Sequence, residues 1–172
     1  MANIKKIVFL LVTLLSSTMM SNMAQAQSRF TLTSPAFQHN QTIPARYTCQ
    51  GEDINPALMI SGIPEGTKSL ALIVDDPDAP GGMWVHWVAY NIPLVAEIAE
   101  NSKPGVGGMT DFGRTDYGGP CPPSGTHRYF FKLYALDQDI TPKPKMTKQA
   151  LENAMKGHII AETNLMGTYQ KK

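Results

Sequence analysis

Apolar positions along this chain come in short runs separated by proline and glycine, and each run has its own period. Phe30 to Thr33 alternates apolar and polar side chains, the period of a half-buried strand. Ala57 to Ser61 is a second strand candidate, ended by Gly62-Ile63-Pro64. Ser69-Leu70-Ala71-Leu72-Ile73-Val74 is apolar at successive positions, which predicts a central strand covered on both faces. Trp84 to Asn91 resumes as a strand, and strict alternation would put Trp84, His86, Val88 and Tyr90 on one face. Thr126 to Leu136 is the longest candidate. His127, Tyr129, Phe131, Leu133 and Ala135 line one of its faces, with Arg128, Lys132 and Tyr134 on the other.

Between the last two strands, Asn101 to Gly125 is a loop with six glycines from Gly105 to Gly119. A connection of that length in a compact domain usually carries function or is disordered. Thr147 is suited to cap a short helix that Gly157 ends, with Leu151, Ala154 and Met155 as its packing stripe. Ile159 to Leu165 is the final strand. The rhythm is that of an all-β domain with little helix.

The first 26 residues change the compartment expected for this domain. Lys5 and Lys6, the apolar run from Ile7 to Leu15 and the Ala24-Gln25-Ala26 site read as a cleavable signal peptide at 1–26. The run is too short to span a bilayer. Residues 27–172 would then form a single domain that is periplasmic or secreted. The leader holds two of the 15 basic residues and none of the 14 acidic ones, so the mature charge is −1. No basic excess points to nucleic acid. In an oxidising compartment Cys49 and Cys121 are expected to form a disulfide closing a loop of roughly 70 residues. Two free thiols, with Cys49 reactive, are the alternative.

Chemistry concentrates in two stretches. The first is Asp75-Asp76-Pro77-Asp78-Ala79-Pro80, followed by His86 between two tryptophans. Pro77 and Pro80 stiffen the turn, and three neighbouring carboxylates repel one another unless cations or N–H donors compensate. The second is Gly118-Gly119-Pro120-Cys121-Pro122-Pro123-Ser124-Gly125, followed by His127 and Tyr129. If the two meet, histidine N–H groups and loop amides suit a phosphate or carboxylate. Asp76, Asp78 and the rings of Trp84, Trp87 and Tyr129 suit an ammonium. A phosphate joined to an amine by two carbons satisfies both ends. At least one histidine would then hydrogen-bond the anion, and binding would strengthen as pH falls through ~6.5.

The Asp-Pro-Asp-Ala-Pro turn, the histidine after it, Gly-Pro-Cys-Pro-Pro-Ser-Gly and the His127-to-Leu136 strand resemble the phosphatidylethanolamine-binding protein family. The bacterial Raf-kinase-inhibitor-like branch of the YbhB/YbcL type is the most similar. Ile43-Pro44, Tyr47 to Gly51, Asp111-Phe112-Gly113 and Gly167-Thr168-Tyr169 extend the likeness over almost the whole mature chain. Asn40, Ala57 and Ile60 depart from the pattern outside the site. The resemblance implies an antiparallel β-sandwich with one or two short peripheral helices. It also implies an anion pocket at one end formed by Asp76, Asp78, Pro80, His86, Gly119, Pro120, His127 and Tyr129. The ligand expected is phosphate or phosphorylethanolamine, held without catalysis, cofactor or metal. Two further readings use the same residues differently. One is an interaction protein with an unidentified protein partner, such as a protease inhibitor. The other is a hydrolase in which the two histidines and two carboxylates bind a metal or act as general acid and base. Ser124 and Cys49 are the available nucleophiles, although no G-x-S-x-G or H-E-x-x-H pattern surrounds those residues.

Overall fold

The computed structural model describes residues 29–172. The predicted leader at 1–26 lies outside the described residues. Eight strands form two antiparallel sheets. In chain order they are β1 (Thr31–Thr33), β2 (Leu58–Ser61), β3 (Ser69–Asp76), β4 (Trp84–Ile92), β5 (Glu97–Ile98), β6 (Val106–Gly107), β7 (Thr126–Leu136) and β8 (Ile159–Gln170). The small sheet runs β1-β2-β5 and the large one β6-β4-β3-β7-β8. One α-helix, α1 (Lys148–Met155), and a single 3-10 turn at Ala45–Tyr47 complete the elements among the described residues. The fold is the antiparallel sandwich expected.

The central strand of the large sheet is apolar from Leu70 to Val74 and is covered on both faces. All eight residues of β3 are buried. Leu70, Leu72 and Val74 face the small sheet and pack with Leu32, Leu58, Ile60, Phe131 and Leu133. Ala71 and Ile73 face the other way, against Leu136, Ile140, Leu151 and Met155 under α1. Thr147 caps α1 by accepting the Ala150 N–H at 3.2 Å, the bond that gives threonine its preference for that position. β8 runs on past Leu165 to Gln170, paired with β7 along its length. The predicted long loop includes β6, which closes the outer edge of β4 through Ala89 and Tyr90.

One strand departs from simple alternation. Val74 pairs with Trp87 and Asp75 with Val85, so His86 is an extra residue in β4, a bulge. Val88 and Tyr90 pack in the core under α1, while His86 lies against Tyr129 on the opposite side. The expectation that Trp84, His86, Val88 and Tyr90 share a face is therefore corrected. The bulge adds one position and turns His86 away from the helix-side core. Backbone groups at the bulge are satisfied by the glycine-rich loop instead of a strand. Asp111 N–H donates to the Val85 carbonyl at 3.0 Å, and Gly118 N–H donates to that of His86 at 3.0 Å.

Candidate functional site

The end of β3, the starts of β4 and β7 and two proline-rich turns meet at one end of the large sheet. They enclose a cavity of about 380 Å³. Asp76, His86 and His127 supply its polar wall. Pro80, Trp84, Phe112, Pro122 and Pro123 supply an apolar one, with Ala79, Gly81 and Cys121 between them.

Asp76 organises the polar wall. Its Oδ2 accepts Nδ1–H of His127 at 2.7 Å, and its Oδ1 accepts the Asp78 N–H at 2.8 Å. The second bond is an Asx turn, which fixes the path of the chain into Pro77–Met83. Both side chains of the Asp76–His127 pair are more than nine-tenths buried.

His86 is held by a different group. Its Nδ1 lies 2.7 Å from the Gly118 carbonyl, and since a carbonyl only accepts, Nδ1 carries the hydrogen. Phe112 and Tyr129 pack edge-on against the ring at 5.3 and 5.1 Å between centroids. Burial pushes the His86 imidazole below its ordinary value, and the Gly118 bond and the Asp76 charge only partly offset this. In both histidines Nδ1 is spent on the protein. Among the described residues neither Nε2 has a partner, and neither is sealed from the cavity.

The Gly118–Pro123 turn reaches this position because nothing larger than glycine fits at its start. A Cβ on Gly118 would sit 2.3 Å from the Phe112 ring, and one on Gly119 would sit 2.5 Å from the Tyr47 carbonyl oxygen. The turn is fastened to the 3-10 segment by the Cys49–Cys121 disulfide. Gly119 N–H donates to Asp53 at 2.6 Å, and the Tyr117 hydroxyl donates to the Tyr47 carbonyl at 2.9 Å.

The sequence-derived site residues divide into three groups. Asp76, Pro80, His86 and His127 line the cavity. Gly119 and Pro120 lie in the turn behind its wall, and Tyr129 is wholly buried beneath His86. Asp78 faces away. Its carboxylate accepts Nε and a terminal nitrogen of Arg128 at 2.8 and 2.7 Å, together with the Arg128 backbone N–H at 2.9 Å. That clamp, made mostly by the guanidinium hydrogen bonds, holds the Asp78 carboxyl down to about 2. Trp87 is also elsewhere, in the core against Tyr117.

Phe112, Pro122 and Pro123 were not singled out from sequence as site residues, yet they line the cavity. Sequence reasoning also missed the partners of Asp75. This carboxylate points to the opposite face of the sheet, fully buried, and accepts from Lys132 and Lys148 at 2.8 and 2.6 Å. The signal was present in Lys132, which interrupts the apolar and aromatic run from Tyr129 to Leu136. Among the described residues no group of three or more histidine, cysteine or acidic side chains is placed to hold a metal ion. No helix there is long and apolar enough to cross a membrane.

Comparison with known proteins agrees with this fold. The family model described as phosphatidylethanolamine-binding protein matches residues 33–170. A UPF0098 protein of Pyrococcus horikoshii is 49% identical over 150 residues, covering 81% of this chain and 76% of its own. A UPF0098 protein of Chlamydia trachomatis is 46% identical over 147 residues, covering 81% and 98%. The crystal structure of a Chlamydia trachomatis homologue of phosphatidylethanolamine-binding protein superposes with a TM-score of 0.81 at 45% identity, covering 83% of this chain and 98% of that one. Escherichia coli YbcL, described as a member of the mammalian family, gives 0.77 at 33% identity, covering 83% and 99%.

Proposed function

Since the chain belongs to the phosphatidylethanolamine-binding protein family, we propose that it is an exported, non-catalytic protein that binds phosphate or a phosphorylated head group in the Asp76–His86–His127 cavity. One observation carries this reading. Two histidines from different strands are fixed through Nδ1 and leave Nε2 free in the same cavity. Side chains locked by their own hydrogen bonds lose little freedom when a ligand arrives, which is what a binding site requires. The apolar rim of Trp84, Phe112 and Pro80 suits the carbon portion of such a ligand, and the aromatic faces suit an ammonium attached to it.

The Asp76–His127 pair also has the geometry of a general-base dyad, which favours a hydrolase as the second reading. Against it, Cys49 has its sulfur in the disulfide, and Ser124 is absent from the cavity wall. Water would have to be the nucleophile.

Titration calorimetry with phosphate and phosphorylethanolamine tests the binding reading. Saturable binding by the wild-type protein, weakened in His86→Ala and His127→Ala, supports it. Unchanged affinity in both variants would remove it. Turnover of ester or phosphomonoester substrates, lost in His127→Ala, would establish the second reading.

A further inference from the structure

The side chains of the cavity wall carry no cation. Neither lysine nor arginine lines it, and Asp76 is its one carboxylate. The nearby guanidinium groups are already paired, Arg128 with Asp78 and Arg114 with Asp53 and Asp116. Each imidazole has its hydrogen on Nδ1, committed to Gly118 or to Asp76, so a neutral ring shows the cavity a lone pair at Nε2. Three wall positions, Pro80, Pro122 and Pro123, have no backbone N–H to offer. The donors that remain are neutral: the Trp84 indole and the amides of Ala79, Gly81 and Cys121. With both histidines neutral, the side-chain charge of the wall is negative and both imidazoles present acceptors to its occupant.

A fully ionised dianion has nothing but acceptors of its own, so it meets repulsion and unmatched lone pairs there. We infer that the cavity takes its anion together with one proton, shared between the ligand and Nε2, and disfavours a fully ionised dianion that binds without one. This rests on the reading of the cavity as an anion site. The proton arrives either on the ligand oxygen facing Nε2 or on Nε2 itself, and in both cases one N···H···O bridge replaces two opposed lone pairs. The proton comes from solvent, and no covalent bond other than that to hydrogen changes.

The charges around the histidines are balanced in a way that leaves room for this proton. Behind β3, Asp75 is matched by Lys132 and Lys148, and beside His127, Asp78 is matched by Arg128. Asp111, on the Phe112 loop, is engaged by the Val85 N–H. The Tyr129 hydroxyl under His86 stays protonated, because burial and the Asp76 charge push it well up. Asp76 is the group left to stabilise an added charge. The low basicity of His86 keeps that ring neutral until a ligand supplies the partner.

Calorimetry of the full chain at about pH 7.5 in two buffers of different ionisation enthalpy reads the proton directly. The probes are methyl phosphate, which is mostly dianionic there, and sulfate, which carries no proton. The expected result is uptake of about one proton per bound methyl phosphate. Sulfate should bind at least about tenfold more weakly at that pH and recover near pH 5.5. His127→Gln puts a permanent amide N–H near the position of Nε2, and is expected to reduce both the uptake and the penalty on sulfate. Binding of methyl phosphate with no proton uptake overturns the inference while leaving the anion site standing. Absence of binding by either probe at both pH values overturns the anion site and the inference together.

Discussion

His127 donates Nδ1–H to Oδ2 of Asp76 across 2.7 Å, and this bond ties the start of β7 to the last residue of β3. The two residues come from the two proline-rich stretches, so their contact is where those stretches become one site. Asp76 also holds the Asp78 N–H. Replacing it with alanine strands the buried Nδ1–H of His127 and the part-buried N–H of Asp78, which costs about 2–3 kcal/mol. Asp76→Asn keeps one acceptor oxygen and should lose about half as much. Urea unfolding of both variants against wild type checks the order, and equal stability in all three would show that the pair does not hold the strands.

Asp75, next along the same strand, behaves differently because its neighbours do. Both Lys132 and Lys148 donate to its Oδ2, and no group among the described residues hydrogen-bonds its buried Oδ1. Asp75→Asn leaves Lys132 without a counter-charge and Lys148 with only Glu152 at 3.7 Å, and is predicted to cost about 3 kcal/mol. Lys132→Met keeps most of the buried stem and leaves Lys148 on the carboxylate, so it should cost less than about 1.5 kcal/mol. A larger loss for the methionine variant in denaturant titrations would reverse this assignment.

Asp78 makes its contribution in a different pH range. The Arg128 fork lowers its carboxyl from the ordinary 3.8 to about 2 in the folded protein. A depressed carboxylate stabilises the fold above its unfolded value and stops doing so as pH falls through its folded one. The Asp78→Asn variant should therefore be less stable than wild type at neutral pH. The deficit should be no more than about 1 kcal/mol because Arg128 is half exposed and the pair is screened by solvent. The deficit should close between about pH 4 and pH 2. Thermal melts across that interval test the sign.

The strand pattern was legible because burial imposes it directly. Ser69 to Val74 has no polar face to turn outward, and Thr126 to Leu136 has one apolar side and one carrying charges. The site was less legible, for two physical reasons. A bulge has no signature in hydrophobic period, so strict alternation placed His86 with Val88 and Tyr90, when one added residue turns it towards Tyr129. Carboxylates in a row also look equivalent in sequence. In the structure Asp75 is sealed against lysines, Asp76 faces the cavity and Asp78 clamps Arg128. The strand pleat decides the first two and the proline turn the third. Phe112 escaped notice as a wall residue because its ring reaches the cavity only where Gly118, six residues on, leaves space for it.

Tyr129 offers a test in which removing a polar atom is expected to help. Its side chain is fully buried under His86, and its hydroxyl has no hydrogen-bond partner among the described residues. Burial and the charge of Asp76 hold the phenol in its neutral form. A hydroxyl taken out of water without a partner costs about 1–3 kcal/mol, whereas the ring itself contributes packing against His86. Tyr129→Phe keeps the ring and deletes the stranded group, so the apo protein should be equally stable or gain about 1 kcal/mol in urea. If the hydroxyl instead donates to a bound ligand through a small shift of His86, the same variant will lose affinity for phosphate while gaining stability. Calorimetry and unfolding on one preparation separate the two effects. A destabilised Tyr129→Phe protein would mean that the hydroxyl is bonded in solution.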